Sequence, residues 1–232
     1  MSTLVPATFL HRPHRFGAHV RVGDRELYVH VPDPGRLLEL LYPGNTVLVD
    51  LRPRPGGRTA GRVLFARAGE HWVRVDTQVP TRVLARLLKE RRLTPFASYT
   101  VVQPEVTYGE SRLDFLLREP VDGAPDCLVE VKSVTLVQEG VGLFPDAPTA
   151  RGVRHLRELR RAVEEDGYRA AVIFLVQRED ARVVRPFAAN DPAFAAALRE
   201  AARAGVGLYA YRCRVDPPRV EVLADDPLPV EW

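Results

Sequence analysis

Cys127-Leu128-Val129-Glu130-Val131-Lys132-Ser133 is the stretch on which the reading of this chain turns. Its apolar and β-branched residues predict a strand, and side chains along a strand alternate between two faces. Glu130 and Lys132 therefore share one face, while Cys127, Val129, Val131 and Ser133 take the other. A carboxylate beside an ammonium is an odd pair to find in a strand this apolar, because buried charge is costly unless it is paired. One strand earlier, Ser111-Arg112-Leu113-Asp114-Phe115 sets Asp114 between large apolar neighbours that must point away from it. If the two strands are adjacent, Asp114 and Glu130 converge and Lys132 stands one step along.

Outward from this pair, the order of elements is that of an α/β sheet. Arg82–Arg92 reads as a helix with Thr81 as its N-cap. Strands are predicted at Tyr99–Tyr108, Arg112–Leu117 and Cys127–Val134, then a helix at Ala150–Glu165 with Val153, Leu156, Leu159 and Val163 inward. A fully apolar strand, Ala170–Gln177, suits the centre of a sheet covered on both faces. A helix at Pro192–Ala204 and a strand at Gly207–Val215 follow.

Before residue 80 the period is different. Short strands are predicted at Ala7–His11, Phe16–Val22, Glu26–Val31, Thr46–Leu51, Arg62–Ala68 and His71–Val75, separated by turns such as Pro32-Asp33-Pro34-Gly35 and Pro43-Gly44-Asn45. One short helix is predicted at Arg36–Leu41. Such a pattern suits a small barrel of the OB type. The expected fold class is α+β with two domains: an OB-fold-like β-barrel at 1–80 and an α/β domain of the PD-(D/E)XK, restriction-endonuclease-like kind at 81–232.

The second expectation rests on chemistry as well as order. Two converging carboxylates supply oxygen ligands suited to Mg²⁺ or Mn²⁺, with the carbonyl of Val131 as a third ligand and water completing the shell. A lysine beside them can orient or deprotonate an attacking water and stabilise phosphate charge. An Asp followed after 15 residues by Glu-x-Lys, in an α-β-β-β-α-β frame, is how the PD-(D/E)XK nucleases are built. Cross-strand or surface pairing of charges would explain the same residues without catalysis. Only Lys89 and Lys132 are lysine among 33 basic residues, and lysine can exchange a proton where arginine effectively cannot. On the Ala150–Glu165 helix, Arg151, Arg154, His155 and Glu158 follow i, i+3, i+4, i+7 spacing, so Arg151 and His155 are candidates to meet a phosphate.

Composition bounds the rest. The longest apolar run, Ala170–Val176, is far short of the about 20 residues that span a bilayer, so no membrane partner is expected. The opening residues lack the pattern of a signal peptide, and a cytoplasmic protein is expected. Two cysteines make neither a disulfide framework nor a zinc cluster. Residues 1–80 hold eleven arginines and no lysine against seven acids, and five of the six histidines. That basic excess is compatible with a nucleic-acid partner, DNA (single- or double-stranded) or RNA, and equally with a solvated surface. Arg12, Arg15 and Arg36 are the candidate contacts in the barrel.

Longer runs carry a resemblance. Ser111-Arg112-Leu113-Asp114-Phe115, Glu130-Val131-Lys132-Ser133-Val134-Thr135-Leu136, Phe144-Pro145-Asp146-Ala147, Thr149-Ala150-Arg151-Gly152 and His155-Leu156-Arg157-Glu158-Leu159 closely resemble the sugar fermentation stimulation protein (SfsA) family. The resemblance implies an OB-fold domain, a PD-(D/E)XK domain, DNA binding and a link to regulation of maltose metabolism. It also implies Asp114, Glu130 and Lys132 as the nuclease-like triad, with Arg151 and His155 as neighbours. Two departures stand out: His30-Val31-Pro32-Asp33-Pro34-Gly35 and Val75-Asp76-Thr77 carry aspartate where the family reads asparagine. Three functions stay open at this point: a metal-dependent nuclease, a non-catalytic DNA-binding regulator on a nuclease scaffold, and an RNA-binding or RNA-processing protein.

Overall fold

A computed structural model of the chain describes residues 4–52, 56–76 and 78–232. They form two compact units. The first spans Met1–Thr77 and takes in Gln177–Glu179 and Cys213–Glu221; the second holds Gln78–Val176, Asp180–Arg212 and Val222–Trp232. The expected domain line was a single one near residue 80; the two later segments cross it, and nothing in their sequence marks them.

The first unit contains β1 (Leu4–His14), β2 (Gly17–Val22), β3 (Arg25–His30), β4 (Thr46–Asp50), β5 (Arg62–Ala68) and β6 (His71–Arg74). They run in the order β3-β2-β1-β4-β5-β6, and β3 also meets β5 at His30 and Arg62. That extra pairing closes β1 to β5 into a barrel and leaves β6 as an edge beside β5. Alternate residues, among them Phe9, Val20, Val29, Val47, Val63 and Val73, fill the interior. The helix expected at Arg36–Leu41 is absent. Leu40 and Leu41 both donate their amides to the Leu37 carbonyl, making a single turn, and Leu37 sits at φ 52°, which a right-handed helix does not allow. Leu37, Leu40 and Leu41 are spaced like a helix face because they plug the barrel core.

The second unit opens with α1 (Gln78–Lys89), which starts earlier than expected. Thr81 therefore lies inside the helix and is not its N-cap; Pro80 is tolerated because the first helical turn has no intrahelical acceptors for its amides. A 3₁₀ turn at Thr94–Phe96 leads to β7 (Tyr99–Tyr108), β8 (Ser111–Pro120), β9 (Cys127–Val134), β10 (Val137–Gln138) and β11 (Val141–Phe144). Then come α2 (Ala150–Glu164), β12 (Arg169–Val176), β13 (Val183–Pro186), α3 (Pro192–Arg203), β14 (Gly207–Asp216) and β15 (Arg219–Leu228). The main sheet runs β15-β14-β12-β9-β8-β7, with β12 parallel to β9 and β14, and β8 antiparallel to β9. From Ala170 to Val176 every residue of β12 is buried, as its apolar sequence requires. Between β9 and α2, where the sequence predicts no element, β11 forms and pairs with β13.

Leu156, Leu159 and Ala162 of α2 pack into one core with Leu128, Phe174, Phe194 and Leu198. The start of α2 is tightly specified. Thr149 accepts the Gly152 amide on its hydroxyl, and Asp191 accepts the Thr149 amide on Oδ2 and the Phe194 amide on Oδ1. One buried carboxylate thus serves the N-termini of α2 and α3 together. A Cβ at Gly152 would stand 2.7 Å from Thr149 Cγ2 and 3.2 Å from Phe194. Gly152→Ala is therefore expected to lower unfolding stability by about 1–3 kcal/mol through overpacking, read from denaturant midpoints. A variant as stable as the parent would show that the two helices have room to part.

Candidate active site

Strands β8 and β9 pair with Phe115 opposite Val129, Leu116 opposite Leu128 and Leu117 opposite Cys127. One further step of that register sets Asp114 opposite Glu130. At this step a side chain replaces the ladder, since the Val131 amide donates to Asp114 Oδ2 at 2.8 Å. The bond holds one carboxylate oxygen against the strand of Glu130 and leaves Oδ1 to face elsewhere.

Glu130 is 5% exposed and Lys132 8%. Lys132 Nζ donates to Glu130 Oε1 at 2.8 Å, and His155 Nδ1 stands 2.6 Å from the same oxygen. Arg151 Nε donates to His155 Nε2 at 3.2 Å, so Nε2 acts as acceptor and the ring proton belongs on Nδ1, which lies beside the carboxylate without an aligned hydrogen bond to it. The second oxygen, Glu130 Oε2, is buried with no hydrogen-bond partner. Buried carboxylate oxygens are seldom left unpaired, so this one marks a place where a ligand fits.

Electrostatics separate the two acids. Burial, reinforced by the neighbouring Glu130 charge, pushes the Asp114 carboxyl up to about 7, against the pull of the Val131 amide, Lys132 and Arg151. Burial works the same way on Glu130, but the Lys132 ammonium and His155 outweigh it and hold that carboxyl below its usual range. Because the folded pKa of Asp114 lies above its unfolded value, its contribution to stability is fully present below about pH 4 and is lost as the pH rises through 7. Asp114→Asn should therefore gain stability relative to the parent as the pH rises from 4 to 8 in EDTA. Urea titrations across that range check this, and a constant difference would contradict it.

Asp114 and Glu130 fit a hard divalent ion. They offer carboxylate oxygens at adjacent strand positions, one of them orphaned. Among the described residues no group of three or more His, Cys, Asp or Glu is arranged to hold a metal. The donor set is thus short of side chains and suits an ion that keeps several waters, as Mg²⁺ does.

The other expected contacts divide. Arg151 is exposed at the start of α2 and close enough to lower the Asp114 pKa, so it borders the acids. His155, expected to face a phosphate, is 1% exposed and spent on Glu130. Arg12, expected to face nucleic acid, turns back on its own unit: its guanidinium donates to the carbonyls of Asp33, Gly35, Arg36 and Arg15. It staples the β3–β4 connection and is poorly placed to bind phosphate. Arg15 and Arg36 are exposed. Asp33, one of the aspartates in an asparagine position, accepts the Gly35 amide at 2.7 Å and so shapes that turn. Glu158, which helical spacing places beside Arg151 and His155 with no role of its own, accepts the Glu110 amide on Oε1 and pairs with Arg161 on Oε2. It ties the β7–β8 turn, and with it the start of the strand of Asp114, to α2.

A closed OB barrel followed by a restriction-endonuclease-like sheet defines the class of protein. Two family models match in turn: the SfsA N-terminal OB domain over residues 10–75, and the sugar fermentation stimulation protein RE domain over residues 78–219. The chain belongs to the sugar fermentation stimulation protein family. A sugar fermentation stimulation protein homolog from Moorella thermoacetica is 49% identical over 224 residues, covering 96% of this chain and 95% of that one. One from Symbiobacterium thermophilum is 51% identical, covering 91% and 89%. The solved structure of Pyrococcus furiosus SfsA in complex with Ca²⁺ superposes with a TM-score of 0.88 at 29% identity, covering 100% of this chain and 97% of that one. No helix among the described residues is long and apolar enough to cross a membrane.

Proposed function

We propose that this protein is a divalent-metal-dependent nuclease acting on DNA, with Mg²⁺ or Mn²⁺ as its ion. The observation that carries this reading is Glu130 Oε2, buried and unpartnered one strand position from Asp114. Asp114 and Glu130, with the Val131 carbonyl, are the residues to hold the ion. The Ca²⁺ bound by the Pyrococcus furiosus relative supports an oxygen-ligand divalent site here, since Ca²⁺ and Mg²⁺ are both hard, oxygen-seeking cations. When bound, such an ion supplies Lewis acidity at a phosphoryl oxygen and makes its water more acidic.

The chain's own residues do the rest. His155 braces Glu130 from behind, fixing the carboxylate so that Oε2 stays presented. Lys132 lies one period along the same face; as an ammonium it positions the attacking water, and only in its neutral form would it take that water's proton. Arg151, exposed at the rim, draws the phosphate in.

The test is incubation of end-labelled single-stranded DNA, duplex DNA and RNA with the protein in Mg²⁺, in Mn²⁺ and in EDTA. Metal-dependent cleavage of DNA is expected. DNA binding without cleavage under any metal would leave a regulator on a nuclease scaffold, and cleavage of RNA alone would move the substrate.

A further inference from the structure

We propose that the outer face of β1, β2 and β3 is a base-stacking platform for single-stranded DNA. This rests on the DNA reading above and names the form of DNA that the barrel takes.

The solvent side of these three strands carries rings where a barrel surface ordinarily carries flexible polar side chains. His11 lies opposite His19, and His19 opposite Tyr28. The two imidazoles stack with centroids 4.4 Å apart and planes 11° apart, and the Tyr28 ring stands 5.2 Å from His19. His14 Nε2 meets the Tyr28 hydroxyl at 2.7 Å, and Glu26 holds His19 Nδ1 at 2.7 Å, so the array is fixed in place. Gly17 makes room for it: a Cβ there would come within 2.1 Å of the Tyr28 hydroxyl oxygen. At the end of the same face Phe16, 46% exposed, stacks on His30.

None of these rings belongs to the barrel core, which is filled from the opposite face of the strands. Fixed rings held at a surface suit stacking on planar bases, and a base offers its π-face only when it is out of a duplex. The charge around the rings fits the same partner. Besides Arg12, which is tied to carbonyls of its own unit, residues 4–31 carry Arg15, Arg21 and Arg25 against Asp24 and Glu26. Arg15 and Arg21 are exposed, and Arg21 lies two residues from His19 on the ring-bearing face of β2, as a backbone of phosphates passing over the rings requires.

The experiment uses the full chain in EDTA and a fluorescein-labelled, mixed-sequence single-stranded DNA, followed by anisotropy, with heparin as a polyanion that has no bases. Tyr28→Leu, and His11→Ala with His19→Ala, should each weaken single-strand binding by about tenfold or more, the scale of losing one or two stacked bases. Heparin binding should change far less. Single-strand affinity equal to the parent's in both variants would overturn the platform while the nuclease reading stands. A parent that binds duplex more tightly than single strand, or RNA more tightly than DNA, would also overturn it. If a variant fails to fold, photocrosslinking of the parent to iodouracil-substituted DNA decides. Adducts on the segment 11–30 support the platform, and adducts confined to other segments overturn it. A parent that binds no nucleic acid at all would sink the DNA reading itself.

Discussion

Glu130→Ala should be among the most damaging single substitutions in this chain. It removes the carboxylate that Lys132 Nζ touches, and the same carboxylate faces His155. Both partners lie in a site excluded from water, with Lys132 8% and His155 1% exposed. Breaking a buried ion pair by deleting one member costs about 3–5 kcal/mol, because the surviving charge stays buried without compensation. A urea midpoint shift of that size is expected in EDTA, together with loss of metal-dependent cleavage. Glu130→Ala with Lys132→Met, which removes both charges, should recover much of the stability and none of the cleavage. If Glu130→Ala alone unfolds at the parent's midpoint, the cluster is solvated and the electrostatic description of the site is wrong.

Lys132→Arg separates chemistry from charge. Arginine keeps the positive charge beside Glu130 but cannot take up or release a proton at working pH. Cleavage should fall by about 10²-fold or more, the usual scale for losing a general acid or base, while DNA affinity changes little. Equal cleavage by parent and variant would make Lys132 an electrostatic anchor alone.

Much of this arrangement was legible in the sequence because it is local. Period-2 alternation places Glu130 and Lys132 on one face without any knowledge of the fold, and the apolar run Ala170–Val176 announces the central strand. What depends on distant backbone was not legible. Arg12 reads as free positive charge, and only the return of the chain at 33–36 supplies the carbonyls that occupy it. Charge and spacing group His155 with Arg151, yet it also lies one turn from Gly152 and Leu159, both on the buried side of α2. Its phase on the helix is apolar, and that phase rather than its charge turns it inward. Leu37, Leu40 and Leu41 show the same ambiguity reversed, since helical spacing served a single turn over the barrel core. Strands of two and four residues, such as β10 and β13, are too short to show any period. β15 was hidden by its acids and by Pro227, residues that strands seldom carry.

The site's identity as a divalent-metal centre is tested most directly by calorimetric titration of Mn²⁺ into the parent and into Asp114→Asn at pH 8, where the raised Asp114 carboxyl is ionised. The parent should bind one ion, with affinity that declines as the pH drops below about 7 because the ion must displace the Asp114 proton. Asp114→Asn should lose that binding, while its fold, read by circular dichroism, is kept. Equal Mn²⁺ affinity in the two proteins would contradict the assignment of Asp114 and Glu130 as the metal-binding pair.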